Sequence, residues 1–204
     1  MWSAFMKSSD KNLYEKGVLC KSLKGRKVPF YRIPTDGSSP KLSVVVTSRH
    51  HCSEAPATFV VEGLVSAFLE DSELGRWLRS NVELTVVPFV DMDGVTDGDQ
   101  GKWRKPHDHN RDYTEFLYPE TKALSALIKE IHPDIFLDFH NPTLGTRYIF
   151  SPLCDKPAPK EDAFAAYVEK YQEGGLNYKT SKDLPFGVSW NTSKNYKDGL
   201  SVKQ

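Results

Sequence analysis

Potential metal ligands follow directly after an apolar run in the first third of this sequence. Residues 42–46 read LSVVV, and His51 and Glu54 stand shortly after them, three positions apart. A β-branched run is typical of a strand buried on both faces, and Pro56 begins an apolar stretch that indicates a helix. An imidazole and a carboxylate on a turn between strand and helix can bind one zinc ion together. The same pair also fits an ordinary polar surface loop, because two-residue motifs often occur by chance.

A third candidate ligand, His140, stands at the end of another apolar run. Residues 134–139 read DIFLDF, and His140 follows them. Ligands bind outside the carboxyl ends of the strands in open α/β sheets, so we expect His140 to approach His51 and Glu54. Two histidines and one carboxylate are a ligand set of hydrolytic zinc sites, which keep a fourth position for water. Zinc lowers the pKa of that water to about 7 and polarises a nearby carbonyl, which is the basis of metal-assisted amide hydrolysis.

Other residue types that bind metals lie beside these positions and leave alternatives open. His50 precedes His51 and could replace it as a ligand. Cys52 could bind zinc as a thiolate in a closed structural site. His107 and His109 form an H-x-H pair that could bind a metal, tune the site or contact a substrate.

The apolar stretches of the sequence predict alternating strands and helices. Three segments have the apolar pattern of a helix, namely residues 56–69, 120–131 and 161–173. Five segments read as strands, namely residues 28–33, 42–46, 82–90, 134–139 and 147–151. This alternation indicates an α/β fold with a largely parallel central sheet.

Finer expectations concern the segments between and within these elements. The apolar stripe of the first helix is predicted at Phe59, Val60, Leu64 and Phe68. Pro88 predicts an edge position or a bend in its strand. Residues 91–94 read as a turn, and residues 1–26 are polar and mixed. Residues 95–113 form a long polar loop, a kind of segment that is usually functional inside a compact domain.

Composition narrows the classes of function. The 204 residues fit one domain with a substantial core, and 27 basic residues balance 27 acidic ones. This balance argues against nucleic acid or an anionic membrane surface as a partner. The three cysteines have unrelated spacings, which argues against a disulfide framework and fits a reducing compartment. No export signal is visible and no stretch approaches about 18 apolar residues, so we expect a cytoplasmic location.

Four short motifs follow one another in a fixed order along the chain. They are HCSE at residues 51–54, WRK at 103–105, DHNRDY at 108–113 and DFH at 138–140. In this order they resemble the motifs of the zinc carboxypeptidases, including the cytosolic carboxypeptidase-like branch and the related zinc deacylases. The resemblance covers roughly residues 20 to 150. It implies a three-layer α/β/α fold of the phosphorylase/hydrolase-like, zinc peptidase type, with a mixed, mostly parallel central sheet.

The resemblance assigns one zinc ion to three ligands. His51 and Glu54 match the H-x-x-E motif of the family, and His140 matches the strand end that bears the third ligand. The resemblance also implies that Asp108 accepts a hydrogen bond from the first histidine ligand. Such a bond fixes the tautomer of a ligating histidine from outside the metal's coordination sphere.

The resemblance assigns substrate contacts to residues of the polar loop. Arg104 matches the arginine that polarises the scissile carbonyl and stabilises the oxyanion that develops there. Asn110 and Arg111 match the pair that holds the terminal carboxylate of the substrate, for which the planar guanidinium offers two parallel donors. Each arginine would otherwise be a solvated surface charge.

The sequence departs from the family pattern in several places. The family's general base is a glutamate on a later strand, but no glutamate follows Glu173, and only Tyr196 could stand in for the mobile tyrosine. We therefore expect residues 1–204 to be a single, C-terminally incomplete catalytic domain; the alternative is a catalytically silent copy. Ser53 replaces an arginine within H-x-x-E, and residues 91–94 differ from the usual Asn-Pro-Asp-Gly.

These observations lead to one functional hypothesis and two alternatives. We predict a metallocarboxypeptidase that removes a C-terminal amino acid from peptides by means of metal-activated water. Its substrate would be a peptide or amino-acid derivative with a free C-terminal carboxylate. The first alternative is a zinc amidohydrolase that deacylates N-acyl amino acids. The second is a catalytically silent, zinc-dependent peptide-binding domain.

Overall fold

The computed structural model describes residues 2–36, 40–141, 149–150 and 159–193. The chain divides into two compact units, Met1–Pro142 and Thr143–Gln204. The sheet and every predicted site residue belong to the first unit. The single domain expected over residues 1–204 stays a prediction. Within the described ranges no helix is both long and apolar enough to cross a membrane.

The first unit combines one five-stranded sheet with helices. In chain order its elements are α1 (Trp2–Ser8), β1 (Glu15–Lys21), β2 (Lys27–Ile33), β3 (Leu42–Ser48), α2 (Pro56–Leu69), α3 (Glu73–Asn81), β4 (Val82–Val87), α4 (Met92–Asp97), a 3-10 turn (His109–Arg111), α5 (Pro119–Ile131) and β5 (Ile135–Phe139). The second unit contains α6 (Pro159–Tyr171) and a 3-10 turn (Thr180–Lys182).

The sheet has the strand order β1-β2-β4-β3-β5. Strand β3 runs parallel to both of its neighbours, β4 and β5, whereas β1 and β2 are antiparallel additions at one side. The predicted α/β class with a mixed sheet is therefore confirmed. In the register of β3 and β5, Ser48 lies opposite Phe139. The segments that follow these two residues consequently leave the sheet side by side, and they carry His51 and His140.

Both faces of the central strands β3 and β4 are largely buried, as their unbroken apolar runs predict. One face packs against α1 and α2 in a cluster that contains Trp2, Met6, Tyr31, Ile33, Val46, Val61, Val65, Phe68, Val82, Leu84 and Val86. Side chains alternate between faces along a strand, so Val45 points away from this cluster, and it too is fully buried. Helix α5 packs against β1.

The predicted core stripe of α2 was partly wrong. The helix has the predicted bounds, but Phe59 and Val60 are 55% and 52% exposed. Its buried face instead contains Ala57, Thr58, Val61, Val65 and Phe68. Because α2 is apolar over most of its circumference, the spacing of apolar residues alone does not distinguish the inward face from the outward one.

Several elements differ from the sequence expectations. Residues 91–94 were expected to be a turn but lead into α4, because the Asp91 carboxylate caps the helix by accepting from the Gly94 backbone N–H at 2.8 Å. Strand β4 ends at Val87 and the chain bends at Pro88, which confirms one of the two expectations for this proline. The other, an edge position, is wrong because β4 lies between β2 and β3.

Elements α1, β1 and α3 were not predicted at all. The first two lie within residues 1–26. Helix α1 buries only Trp2 and Met6, and β1, which has no buried residue, lies at the edge of the sheet. In the predicted strand 147–151 only residues 149 and 150 are described, and they do not form a strand.

Candidate metal centre

The turn after β3 places His51 and Glu54. The chain reverses at Arg49, which has a φ of 64°, and the Arg49 Nε–H donates to the backbone oxygen of Cys52 at 2.7 Å. The Glu54 backbone N–H donates to the His51 carbonyl at 3.1 Å, which closes the turn just before α2. Both side chains are buried, with 6% of His51 and 5% of Glu54 exposed. The turn therefore holds an imidazole and a carboxylate together in an interior position.

The Glu54 carboxylate lies between two imidazole rings. Its Oε1 is 3.0 Å from Nδ1 of His51, and its Oε2 is 2.8 Å from Nδ1 of His140. One ligand atom from each of the three residues lies within 4.8 Å of the others. The structure thus brings the three predicted ligands together, although His140 is far from the other two in sequence.

A second carboxylate stands behind each imidazole. Nε2 of His51 is 3.2 Å from Oδ1 of Asp108, and Nε2 of His140 is 2.7 Å from Oδ2 of Asp138. Carboxylates in this position fix the tautomer and orientation of ligating histidines. Asp108 was predicted near His51, but sequence reasoning missed Asp138. Its position two residues before His140 was an available signal, because alternate residues of a strand share a face.

The charges of the cluster reinforce one another. Burial opposes ionisation of the Glu54 carboxyl, but His140 and His51 outweigh it and hold the pKa of Glu54 well below its usual range. Burial also disfavours charge on His140, yet Asp138 and Glu54 raise its pKa to about 10. The pKa of His51 is raised in the same way, against burial, by Asp108 and Glu54.

The donor set of this cluster fits zinc. Two imidazole nitrogens and a carboxylate converge at a buried point, which is a common ligand combination for catalytic zinc. Nε2 of His140 is hydrogen-bonded to Asp138, whereas Nε2 of His51 lies 3.2 Å from Asp108 without the geometry of a hydrogen bond. The Nδ1 atom of each ring is available to a metal once it is deprotonated.

The polar loop lies directly on the turn that carries His51. At Gly101, which has a φ of 89°, an added Cβ would stand 2.7 Å from the Cys52 backbone nitrogen and 2.8 Å from the His51 Cα. Only glycine fits this close approach. The same loop continues to Asp108, whose Oδ1 lies 3.2 Å from Nε2 of His51.

Two cations of the polar loop lie against carboxylates. Arg104 is largely buried, with its Nε 3.3 Å from Oδ2 of Asp91 and its Nη1 2.9 Å from Oδ2 of Asp99. Lys102, which sequence reasoning missed, has its Nζ 3.8 Å from Oε1 of Glu54. The ammonium of Lys102 is therefore a cation at the edge of the ligand cluster. No motif or spacing in the sequence marked Lys102.

Asn110 and Arg111 lie on the 3-10 turn that follows Asp108. The Asp108 carboxylate accepts from the Asn110 backbone N–H at 2.8 Å, and Nη1 of Arg111 donates to the Asn110 carbonyl at 3.0 Å. Asp108 therefore links the turn that carries both predicted carboxylate-binding residues to the imidazole of His51.

The alternative ligands take other positions. His50 lies beside Asp138 and His140 and forms a second potential metal group with them, without Glu54. The Cys52 thiol donates to the Asp99 carbonyl at 2.9 Å, and burial with the nearby Asp91 raises its pKa to about 12. Cys52 belongs to neither of the two potential metal groups among the described residues.

His107 and His109 do not act as a pair. The His109 ring stacks on Tyr118 with centroids 3.6 Å apart, and burial lowers the pKa of His109 to about 3. Nε2 of His107 lies 3.1 Å from the Arg111 carbonyl oxygen. Neither histidine belongs to the two potential metal groups found in the described part of the chain. Tyr196 lies outside the described residues.

Comparison with known sequences identifies relatives. Residues 1 to 111, more than half of the chain, match the sequence model of the zinc carboxypeptidase family. Cytosolic carboxypeptidase 2 of Danio rerio is 30% identical over 135 residues, which are 60% of this chain and 19% of that protein. Cytosolic carboxypeptidase 3 of Mus musculus is 32% identical over 133 residues, 60% of this chain and 13% of that protein. The matched part is thus less than a fifth of these relatives' length.

Comparison with solved structures shows the same fold. A metallo-carboxypeptidase from Burkholderia cenocepacia superposes with a TM-score of 0.76 at 20% identity, covering 98% of this chain and 57% of that one. A metallo-carboxypeptidase from Pseudomonas aeruginosa, in complex with (2-guanidinoethylmercapto)succinic acid, gives a TM-score of 0.72 at 18% identity, covering 98% of this chain and 57% of that one.

Proposed function

This chain belongs to the zinc carboxypeptidase family, and we propose that it binds one zinc ion through His51, Glu54 and His140. We further propose that the protein is a peptidase that removes the C-terminal amino acid of a peptide. The observation that carries the proposal is the position of the Glu54 carboxylate between the Nδ1 atoms of the two histidines. When bound there, zinc would supply an activated water and polarise the scissile carbonyl.

The residues around the ligands have separate roles in this proposal. Asp138 holds a proton on Nε2 of His140 through a hydrogen bond. Asp108 is proposed to do the same for His51 by closing its 3.2 Å contact with Nε2 into a hydrogen bond, so that both Nδ1 lone pairs face the metal. These carboxylates also raise the basicity of the imidazoles as ligands. The two aspartates therefore position the imidazole rings and do not transfer protons in the reaction.

Three residues of the polar loop are proposed to contact the substrate. Arg104 is proposed to stabilise negative charge on the carbonyl oxygen with N–H donors that its contacts to Asp91 and Asp99 leave available, because those contacts involve only Nε and Nη1. Asn110 and Arg111 are proposed to bind the terminal carboxylate of the peptide.

The names of the relatives support the substrate class. The curated relatives quoted above are carboxypeptidases that are called cytosolic, and we propose a cytosolic location for this protein. The solved neighbour from Pseudomonas aeruginosa is in complex with a succinic acid derivative, a carboxylate-bearing ligand. This supports a substrate with a free carboxylate.

Zinc titration of the purified chain tests the proposed ligands. We expect one zinc ion per chain for the wild type and for His132→Asn, a control at an exposed helix end whose φ of 49° suits asparagine. Glu54→Gln should lose most of the affinity while its thermal unfolding without metal stays cooperative. Absence of zinc binding by the wild type would refute the proposal.

Turnover measurements test the proposed reaction. The protein should release the last amino acid of a blocked dipeptide in a zinc-dependent manner. Turnover confined to N-acyl amino acids would assign the deacylase alternative instead, and zinc binding with affinity for peptides but no turnover would assign the silent binding domain.

A further inference from the structure

A chain of hydrogen-bonded side chains lies behind His140, on the side away from Glu54. Nε2 of His140 is 2.7 Å from Oδ2 of Asp138, and Nδ1 of His50 is 2.9 Å from Oδ1 of the same carboxylate. Nε2 of His50 is in turn 2.5 Å from the Tyr113 hydroxyl. The Thr47 hydroxyl donates to Oδ1 of Asp138 at 2.7 Å. No residue role assigned so far requires His50 or Tyr113.

The direction of each hydrogen bond follows from what Asp138 can do. Three polar side chains contact the Asp138 carboxylate, namely Thr47, His50 and His140. An ionised carboxylate has no proton to donate, so its oxygens can only accept. Nδ1 of His50 and Nε2 of His140 must therefore carry the protons that they share with Asp138. In a neutral imidazole the other nitrogen is an acceptor, so Nε2 of His50 accepts from the Tyr113 hydroxyl. Every polar atom of His50 thus has a defined role.

The sheet holds this chain of contacts in place. Thr47 of β3 is the register partner of Asp138 in β5, so the two strands align the hydroxyl with the carboxylate. The His50 and His140 rings lie nearly parallel, with centroids 5.9 Å apart and 25° between their planes. His50 is fully buried, a costly position for an imidazole unless both of its nitrogens are hydrogen-bonded.

We propose that His50 and Tyr113 are positioning residues for the metal centre: through Asp138 they fix the orientation and tautomer of His140, whose Nδ1 then faces Glu54. This inference rests on the proposed function, because it concerns how one of the proposed zinc ligands is held. It assigns His50 a place outside the metal's coordination sphere, instead of the ligand role that the sequence left open for it.

Zinc affinity of three variants, measured by competition with a chelator, tests the positioning role. His50→Val removes both contacts and should weaken zinc binding by up to about 10-fold, the lower end of the range for losing a direct partner of a metal ligand, because Asp138 itself stays in place. Tyr113→Phe removes only the last hydroxyl and should have a smaller effect in the same direction. His50→Asn can place an amide N–H where Nδ1 stood, and it should recover part of the affinity that His50→Val loses.

Ser48→Ala is the matched control. Ser48 is also fully buried at the end of β3, but its hydroxyl donates to the Pro88 carbonyl at 2.7 Å and does not touch the chain of contacts. Its zinc affinity should equal that of the wild type. Equal zinc affinity of the wild type, His50→Val and Tyr113→Phe would overturn the inference. If His50→Val fails to fold, Tyr113→Phe compared with Ser48→Ala decides the question.

A measurement without metal separates this inference from the proposed function. Nitrogen NMR of ¹⁵N-histidine-labelled, metal-free protein reports which ring nitrogen of His50 carries the proton. We expect the proton on Nδ1 and an unprotonated Nε2 in the wild type. A proton on Nε2 of His50 would overturn the inference even if zinc binds as proposed. An Nδ1 proton in a protein that binds no zinc would support the hydrogen-bond chain while refuting the proposed function.

Discussion

Lys102 is a cation beside a proposed zinc ligand that the sequence did not indicate. Its ammonium lies 3.8 Å from Oε1 of Glu54, where it competes with a divalent cation for the same carboxylate. Lys102→Met should therefore strengthen zinc binding, by up to about fivefold, because exposed ion pairs are worth about 0–1 kcal/mol. The gain should shrink at high salt, which screens the ammonium.

Lys105→Met supplies the control for this prediction, because Lys105 is exposed on the same loop. Zinc affinity measured for both variants at low and high ionic strength checks the argument. Weaker zinc binding by Lys102→Met would show that the ammonium supports the metal centre instead of competing with the ion.

Glu120 is a buried carboxyl group whose environment disfavours its charge. Burial first, and the charges of Asp93 and Asp91 next, raise the pKa of Glu120 from 4.5 to about 7. Between these two values the unfolded chain ionises while the folded protein stays protonated, so the free energy of unfolding falls as the pH rises from 4.5 to 7. Above pH 7 the loss is complete, at about 3 kcal/mol.

Glu120→Gln cannot ionise and should lack this loss. Urea unfolding at pH 4.5 and pH 8 should show the variant gaining about 3 kcal/mol relative to the wild type between the two conditions. Glu130→Gln, exposed on the same helix, is the matched control. A Glu120→Gln variant with the same offset from the wild type at both pH values would contradict the argument.

Among the elements, the loop that carries Asp108 depends on a glycine contact. Gly101→Ala would place a Cβ against the backbone of Cys52 and His51 in a left-handed conformation. We expect a loss of about 1–3 kcal/mol in the free energy of unfolding and weaker zinc binding, because the loop must move away from His51. Urea unfolding and zinc titration measure the two effects.

Gly98→Ala is the control for loop displacement. Gly98 also has a positive φ, 75°, but an added Cβ meets nothing within 4 Å. The Gly98→Ala variant should lose less stability, because it has backbone strain without the clash, and its zinc affinity should stay unchanged. Equal zinc affinities of the two variants would show that the contact at Gly101 does not position Asp108.

Helix α2 offers a direct test of its inward face. Phe68 is 3% exposed and belongs to the core cluster, whereas Phe59 on the same helix is 55% exposed. Phe68→Ala should lower the free energy of unfolding by about 3–5 kcal/mol, and Phe59→Ala by no more than about 0.5 kcal/mol. Urea unfolding of the two variants checks this, and similar losses would contradict the observed orientation of the helix.

The accuracy of the sequence predictions followed the strength of local signals. Strand β3, helix α2 and helix α5 were predicted nearly to the residue, because β-branched runs and prolines at helix starts mark them. Elements α1 and β1 have few buried side chains and therefore no comparable pattern. The expected turn at residues 91–94 failed because the cap at Asp91 starts a helix.

For the whole molecule, the site depends on contacts between distant parts of the chain. His51 and Glu54 follow β3, His140 follows β5, and the parallel pairing of these two strands brings the residues together. The sequence could indicate this convergence because each ligand follows an apolar run and because the motif order resembles that of a known family. It could not indicate the partners of Lys102 and Arg104, which depend on how one long loop folds over the turn.

The position of bound zinc is the most direct test of the proposed centre. Anomalous diffraction from crystals of the zinc-loaded protein should show one ion about 2.0–2.2 Å from Nδ1 of His51, Nδ1 of His140 and an oxygen of Glu54. An ion coordinated instead by His50, Asp138 and Nε2 of His140, or no ion at either group, would contradict it.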